Sequence, residues 1–374
     1  MRTRADEGFA ASLIAWHRQH GRRDMPWQGT RNPYEVWLSE IMLQQTQVAT
    51  VIPYYQKFLA RFPDLADLAR APVEQVMALW SGLGYYARAR NLHRAACVVM
   101  NEHAGEFPRD PAVIGKLPGI GPSTANAIAV FCFGARAAIL DGNVKRVLCR
   151  RFGVSGFPGE KEVDRELWRL AESLLPDASV DHYIQAQMDL GATVCTRSKP
   201  LCTSCPQSKL CVARLTDRVG ELPQAKPRKP LPSRETRVLV MMEAGRVLLL
   251  ARPPTGIWGG LMSLPELPED SEPGDFAESV LGCELHSVME LPPIRHVFTH
   301  FRLTLHPLLG KVRLRPRAAE TAGQHWLAHH ELADAALPSP IRKLLAAAFS
   351  KSFAAANPLA RPKTRAATEK KGTR

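Results

Sequence analysis

Leu117-Pro118-Gly119-Ile120-Gly121-Pro122-Ser123-Thr124-Ala125, followed by Leu140-Asp141-Gly142-Asn143-Val144-Lys145-Arg146, decides how the chain is read. The first piece is a glycine-punctuated turn that runs into Ala-, Thr- and Asn-rich helical sequence. Such a turn leaves backbone N–H groups free at a helix N-terminus, where an anion is stabilised. A phosphate is the obvious guest, and Gly119, Gly121 and Ser123 are candidate contacts to it. The second piece presents a lone carboxylate, Asp141, one helix further on. A bare helix–helix connection would carry the same glycines, so the reading depends on what surrounds the turn.

The surroundings are basic. Lys and Arg number 49 against 36 Asp and Glu, a net charge of +13, which points to a polyanionic partner. No apolar run approaches the roughly 20 residues that span a bilayer. The N-terminus Met1-Arg2-Thr3-Arg4-Ala5-Asp6 lacks the apolar core of a signal peptide. The expectation is a cytoplasmic protein without a membrane partner.

At 374 residues the chain is long enough for two domains. Phe9, Leu13, Ile14 and Trp16 fall at helical spacing within 8–20, and Asn32-Pro33 is a cap and first-turn pair for a helix through Gln44. Further helices are predicted at 51–61, 73–80, 86–103, 123–132, 143–151, 162–174 and 181–191. Residues 1–217 therefore read as mostly α. Residues 218–235 are proline-rich and basic, which suits an extended linker. Beyond it, Arg237–Met242 and Arg246–Leu250 flank Glu243-Ala244-Gly245 as a hairpin, strand-like alternation returns in 300–307, and 341–349 is a short helix. A smaller α/β domain is expected at 236–350, with a disordered basic tail over 351–374.

Glu40 lies on the second predicted helix with Val36, Trp37, Leu43 and Gln44 as its i−4, i−3, i+3 and i+4 neighbours, so no base is within helical reach. A glutamate beside Val and Trp is partly desolvated, which raises its pKa and suits a general acid. On periodicity alone, a rim glutamate satisfied by a distant arginine is the simpler reading. The following Gln45-Thr46-Gln47 shifts the balance, because an amide-rich helix end can read a base edge or fill the gap left by a flipped base. Asp141 precedes Gly-Asn-Val-Lys-Arg and is a good N-cap. The backbone donation this implies lowers its pKa and keeps it ionised. A neutral acid and an ionised carboxylate are the pair that cleaves glycosidic bonds. A second turn, Ser81-Gly82-Leu83-Gly84-Tyr85-Tyr86 with Arg88 and Arg90, interleaves aromatics and bases in a manner suited to bent DNA.

Cys195-x6-Cys202-x2-Cys205-x5-Cys211 is the most specific spacing in the chain. Four thiolates so close, with Arg197, Lys199 and Lys209 among them, form a closed metal site for either tetrahedral zinc or a [4Fe–4S] cluster. Cys97, Cys132, Cys149 and Cys283 fall on apolar segments and read as buried thiols.

Taken together, Trp37–Val48, the turn at 117–121, Ile139–Val147 and the cysteine spacing resemble the adenine DNA glycosylases of the MutY type. The resemblance implies a helix–hairpin–helix glycosylase domain with a [4Fe–4S] subdomain held by Cys195, Cys202, Cys205 and Cys211. It also implies a bacterial-type, nucleoid-associated monomer that removes adenine mispaired with 8-oxoguanine or guanine in double-stranded DNA, with replication or repair proteins open as partners. By the same resemblance Glu40 protonates adenine N7, Asp141 stabilises the oxocarbenium ion and Asn143 assists. Arg23, Trp27 and Gln185 line the adenine pocket, while Gln45, Leu83 and Tyr85 enter the duplex. Endonuclease III-type relatives, the competing reading, carry a lysine nucleophile after the glycine turn. This chain has Ser123 there, so a monofunctional enzyme is expected, with Lys145 able to trap an aldehyde only adventitiously. A non-catalytic Fe–S DNA-binding protein is the third reading; Glu40 with Asp141 counts against it. Arg252–Leu261 resembles the start of a Nudix-type fold. Asp275–Gly282, where the Mg²⁺-binding helix of that fold would lie, has one acid on its face, so pyrophosphate hydrolysis is not expected. Phe298, Thr299 and His300 resemble the loop that reads 8-oxoguanine, with Thr299 in place of the usual serine.

Overall fold

The computed structural model describes residues 4–226, 230–314 and 323–356, and divides into two compact units, Met1–Lys229 and Pro230–Arg374. No helix among the described residues is long and apolar enough to cross a membrane.

The first unit is helical: α1 (Arg4–His20), α2 (Pro33–Leu43), α3 (Val48–Arg61), α4 (Leu65–Arg70), α5 (Val73–Trp80), α6 (Ala87–Glu102), α7 (Pro111–Ile114), α8 (Pro122–Phe133), α9 (Gly142–Phe152), α10 (Lys161–Ser173), α11 (Val180–Asp189) and α12 (Val212–Leu215). The long amphipathic stretches become helices as their periodicity dictates. The short α4 and α7 were not expected; each is opened by an Asp N-cap, Asp64 and Asp110, over a stretch too brief for a periodic signal. Phe9, Leu13, Val147, Leu148 and Tyr183 pack α1, α9 and α11 into one core. Trp37, Phe58, Phe62 and Trp80, all fully buried, fill another region, with ring centroids of Phe58 and Phe62 5.2 Å apart.

The glycine turn joins α7 to α8. Gly119 has φ +78°, and a Cβ there would meet the Asn91 side chain at 2.7 Å, so both conformation and space require glycine. Gly121 caps α8 and Pro122 opens it. The first turns of α8 then grip the segment leading to Asp141: Ser123 Oγ accepts the Leu140 N–H at 3.0 Å, and Asn126 donates to Ala138 O at 2.6 Å.

The expected linker at 218–235 is shortened at both ends. Leu222 is buried and its carbonyl accepts from Arg150 Nε at 2.8 Å, and Gln224 accepts the Gly156 N–H at 2.9 Å, so this stretch packs on the helical unit. Strand begins at Ser233.

The second unit is a mixed sheet of β1 (Ser233–Glu243), β2 (Arg246–Ala251), β3 (Met262–Ser263), β4 (Glu266–Leu267), β5 (Cys283–Glu290), β6 (Ile294–Val297), β7 (Arg302–Leu314) and β8 (Gln324–Ala328), with α13 (Pro273–Ser279) and α14 (Ser339–Ala356). The main order is β3-β2-β1-β7-β5, with β1 parallel to β7 and antiparallel to β2. Ala244 and Gly245 both have positive φ and close the expected hairpin in two residues. The helix expected at 341–349 extends through Ala356, into the stretch assigned to a disordered tail. The remainder of that tail lies outside the described residues.

Candidate active site

A groove in the helical unit brings Glu40, Asp141 and Asn143 together with Arg23, Trp27, Gln185, Gln45, Ser123 and Lys145. Its lining is rich in arginine, including Arg18, Arg31, Arg146 and Arg197. Glu40 sits in the last turn of α2, half-buried, above the fully buried Trp37. No hydrogen-bond donor is assigned to its carboxylate among the described residues. Burial first, and the neighbouring charge of Asp141 second, push its pKa from 4.5 up to about 7.

Asp141 is the N-cap of α9, and its Oδ1 accepts the Val144 N–H at 2.7 Å. Asn143 Nδ2 lies 3.4 Å from its Oδ2, and Arg146 donates to Asn143 Oδ1 at 2.8 Å, which leaves the Asn143 amide group facing the carboxylate. The expectation that capping lowers the pKa of Asp141 is corrected. Burial raises it overall and outweighs the backbone donors and Arg146, which act downward. Sequence displays a cap but not the depth at which it is buried.

Arg146 also donates to Gly191 O at 2.6 Å and Cys195 O at 2.7 Å. A Cβ on Gly191 would meet Asn143 Cβ at 2.6 Å, so a glycine is what lets the chain leading to Cys195 lie against the start of α9. Lys145 is engaged by Asp164 Oδ1 at 2.5 Å and Pro158 O at 3.1 Å.

The pocket candidates are held from behind. Trp27 is buried and packs edge-on against Tyr55, with ring centroids 5.3 Å apart. Arg23 is exposed and donates to Arg18 O. Gln185 donates to the buried Asp189 at 3.0 Å.

Of the candidates for entering DNA, Gln45 and Tyr85 are exposed and both are non-glycine residues at positive φ, +59° and +48°. Leu83 is buried at 6% exposure, and neither it nor Tyr85, Gly119 or Gly121 lines the groove. Arg88, read from sequence as facing DNA, is turned inward. Its guanidinium donates to Ile41 O, Met42 O and Gln44 O at 2.8, 2.9 and 2.6 Å, and to Leu83 O and Gly84 O at 3.1 and 3.2 Å. It thus caps the C-terminal carbonyls of α2 and ties them to the 83–84 turn.

Cys195, Cys202, Cys205 and Cys211 line one small pocket, closed on one side by the buried Arg150. Arg150 donates to Cys195 Sγ at 3.4 Å and to Thr196 O and Arg197 O, while its own carbonyl accepts from Cys211 Sγ at 3.3 Å. Burial pushes the Cys205 thiol up to about 11, and the three other thiols add to the rise, so all four feel one another across this space. No group of three or more His, Cys, Asp or Glu side chains among the described residues is arranged to hold a metal ion. Four convergent sulfurs around a pocket are nonetheless a donor set suited to a metal–sulfur cluster. Elsewhere Cys132, Cys149 and Cys283 are buried as expected, and Cys97 is half-buried against Ala69 O.

In the sheet unit, Phe298, Thr299 and His300 lie between β6 and β7 in a turn closed by the Phe298 N–H to Phe301 O bond at 2.9 Å. Phe298 stacks on Phe301 at 4.5 Å and packs near Trp258 and His296, while Thr299 and His300 are exposed. Two segments singled out separately in the sequence, 252–261 and 296–300, thus meet at Trp258.

Residues 38–173 match the HhH-GPD superfamily of base excision DNA repair proteins, and residues 237–347 match the NUDIX domain. The adenine DNA glycosylase of Buchnera aphidicola subsp. Baizongia pistaciae is 34% identical over 341 residues, which is 90% of this chain and 95% of that protein. The chain belongs to the adenine DNA glycosylase family. The human adenine DNA glycosylase is 34% identical over 401 residues, 90% of this chain and 73% of its own. Among solved structures, a thermostable thymine-DNA glycosylase is similar with TM-score 0.52 and 32% identity, covering 57% of this chain and 97% of that one. The family resemblance drawn from motifs, and the pairing of a helix–hairpin–helix glycosylase fold with a Nudix-like sheet domain, are both borne out.

Proposed function

We propose that this protein excises adenine mispaired with 8-oxoguanine or guanine from double-stranded DNA by hydrolysing the N-glycosidic bond, without cutting the strand. The observation that carries the reading is Glu40, a carboxylic acid with a pKa near 7, sharing a groove with a hydrogen-bonded carboxylate, Asp141. Glu40 gives its proton to N7 of the flipped base. The C1′–N9 bond then breaks and its electron pair leaves with adenine. Asp141 stabilises the resulting oxocarbenium ion, and water adds at C1′ with loss of a proton. Asn143, fixed by Arg146, keeps a donor on Asp141.

Ser123 offers no amine where a lysine nucleophile would stand, and Lys145 is engaged by Asp164, which together argue against a Schiff-base route to strand cleavage beyond adventitious trapping. Arg23, Trp27 and Gln185 form the adenine pocket in this reading. Gln45 and Tyr85 meet the duplex, with Leu83 behind them, and Phe298, Thr299 and His300 read the opposite base. The four cysteines would hold a [4Fe–4S] cluster, which when bound cross-links the segments around Arg150 as a structural staple. Iron and sulfide analysis of purified protein tests this; a colourless zinc protein would overturn it.

The decisive experiment incubates the full chain with duplexes carrying adenine opposite 8-oxoguanine and compares strand breaks with and without alkali. Alkali-dependent breaks are expected; no alkali-labile site would sink the reading, and equal breakage without alkali would favour a lyase. The likeness to a thymine-DNA glycosylase motivates a second arm with thymine opposite guanine. Excision of thymine in preference to adenine would replace the adenine reading.

A further inference from the structure

Asp189, the last residue of α11, takes no part in the acid and carboxylate chemistry and yet is fully buried. Its Oδ2 accepts the Arg22 backbone N–H at 2.9 Å and lies 3.4 Å from His17 Nε2. Its Oδ1 accepts from Arg22 Nε at 3.0 Å, Arg22 Nη2 at 2.7 Å and Gln185 Nε2 at 3.0 Å. A carboxylate oxygen that takes both Nε–H and Nη2–H of one guanidinium belongs to an ionised group and has no hydrogen to give. The Gln185 atom that faces it must therefore be the amide nitrogen. This argument fixes an orientation that side-chain shape alone leaves ambiguous. Gln185 Oε1 is then the free end of the amide, with no hydrogen bond assigned to it among the described residues, and Gln185 lines the groove that holds Glu40 and Asp141.

We infer that Asp189 is a specificity-positioning residue: it locks the Gln185 carboxamide so that the groove presents a hydrogen-bond acceptor to the flipped base. An acceptor selects a base edge carrying an exocyclic amino group, as in adenine. It rejects an edge of the same shape carrying a carbonyl oxygen, as in hypoxanthine, because two acceptors then face each other with no proton between them. Without the lock, Gln185 could turn its NH₂ to the carbonyl at little cost. The inference rests on the pocket reading proposed above.

The test compares excision of adenine and of hypoxanthine opposite the same base by the full chain and by Asp189→Asn, Gln185→Ala and the double variant. Asparagine can offer either a donor or an acceptor, so Asp189→Asn frees the Gln185 amide. The adenine-to-hypoxanthine ratio should fall on the order of tenfold, and the same substitution in the Gln185→Ala background should change the ratio no further. A misfolded fraction lowers both rates and leaves their ratio untouched, so equal slowing of both bases would overturn the inference in favour of a purely structural Asp189. Should Asp189→Asn not fold, the unmodified protein still decides. Non-cleavable 2′-fluorinated duplexes carrying hypoxanthine must bind more weakly than those carrying unsubstituted purine, and equal binding overturns the lock. Failure of the unmodified protein to excise adenine from any duplex would remove the pocket reading and this inference with it. Adenine excision with an unchanged ratio removes only the inference.

Discussion

The C-terminal turn of α2 and the N-terminal turn of α9 face the same groove, and each supplies one carboxyl group, but they treat it in opposite ways. At the α2 end, Glu40 has Trp37 beside it and no donor among the described residues, so its surroundings penalise charge. At the α9 end, Asp141 is buried too, yet Val144 N–H, Asn143 and the more distant Arg146 stabilise its anion. Burial raises both pKa values, and only at Asp141 do hydrogen-bond donors act the other way. The donors act on one side only: they favour the anion of Asp141, and none among the described residues does so for Glu40. Two residues of nearly the same chemistry are thereby given different surroundings by the backbone geometry of two helix ends, one spent of its donors and one rich in them.

The largest effect should come from erasing this difference. Glu40→Gln cannot donate a proton and Asp141→Asn cannot hold a negative charge, so each should slow adenine excision by at least about 100-fold while duplex affinity persists. Retained activity in either variant would contradict the assignment. In the unmodified protein, single-turnover excision should fall as pH rises through about 7, where Glu40 loses its proton. It should also fall on the acid side, at a pH above the ordinary carboxylate range, where Asp141 gains one. A rate flat between pH 6 and pH 9 would break the contrast between the two acids.

A smaller effect tests how the α2 end is held. Arg88→Ala removes the guanidinium that caps the carbonyls of Ile41, Met42 and Gln44 and leaves them without that donor. A loss of about 3 kcal/mol is expected in chemical unfolding, together with slower excision, because Glu40 rides on the turn being capped. Unchanged stability would mean that solvent replaces Arg88 and that the α2 end needs no internal support.

Arg88 also marks where sequence reading stops. Its neighbours Tyr85, Tyr86 and Arg90 make a plausible DNA-facing cluster, and nothing local indicates that its guanidinium turns inward to α2, more than forty positions upstream. Glu40 was legible because its environment is set by residues three and four positions away, and the glycine turn because φ +78° at Gly119 demands the residue type found there. The family was legible because several short motifs had to coincide. The direction of the Asp141 shift was not, since its cap is local and its burial is tertiary. The Asp189 network was invisible for the same reason: Arg22 and Asp189 are 167 positions apart.

The smallest predicted effect is a gain in stability from losing function. Glu40 titrates near an ordinary 4.5 in the unfolded chain and at about 7 in the folded one. Between these values the folded state binds the extra proton, so its stability is highest below about pH 4.5 and declines as pH rises to about 7, beyond which the loss is complete. Glutamine has no such penalty. Glu40→Gln should therefore match the unmodified protein in urea unfolding at pH 4.5 and exceed it by about 2 kcal/mol at pH 8, since water at the open side of the groove screens part of the shift. Asp141→Asn should gain less, because an amide that keeps its oxygen on the Val144 N–H turns its NH₂ toward Asn143 Nδ2, setting donor against donor. Equal gains from the two substitutions would mean that the donors at the α9 end do not distinguish its acid from the one on α2.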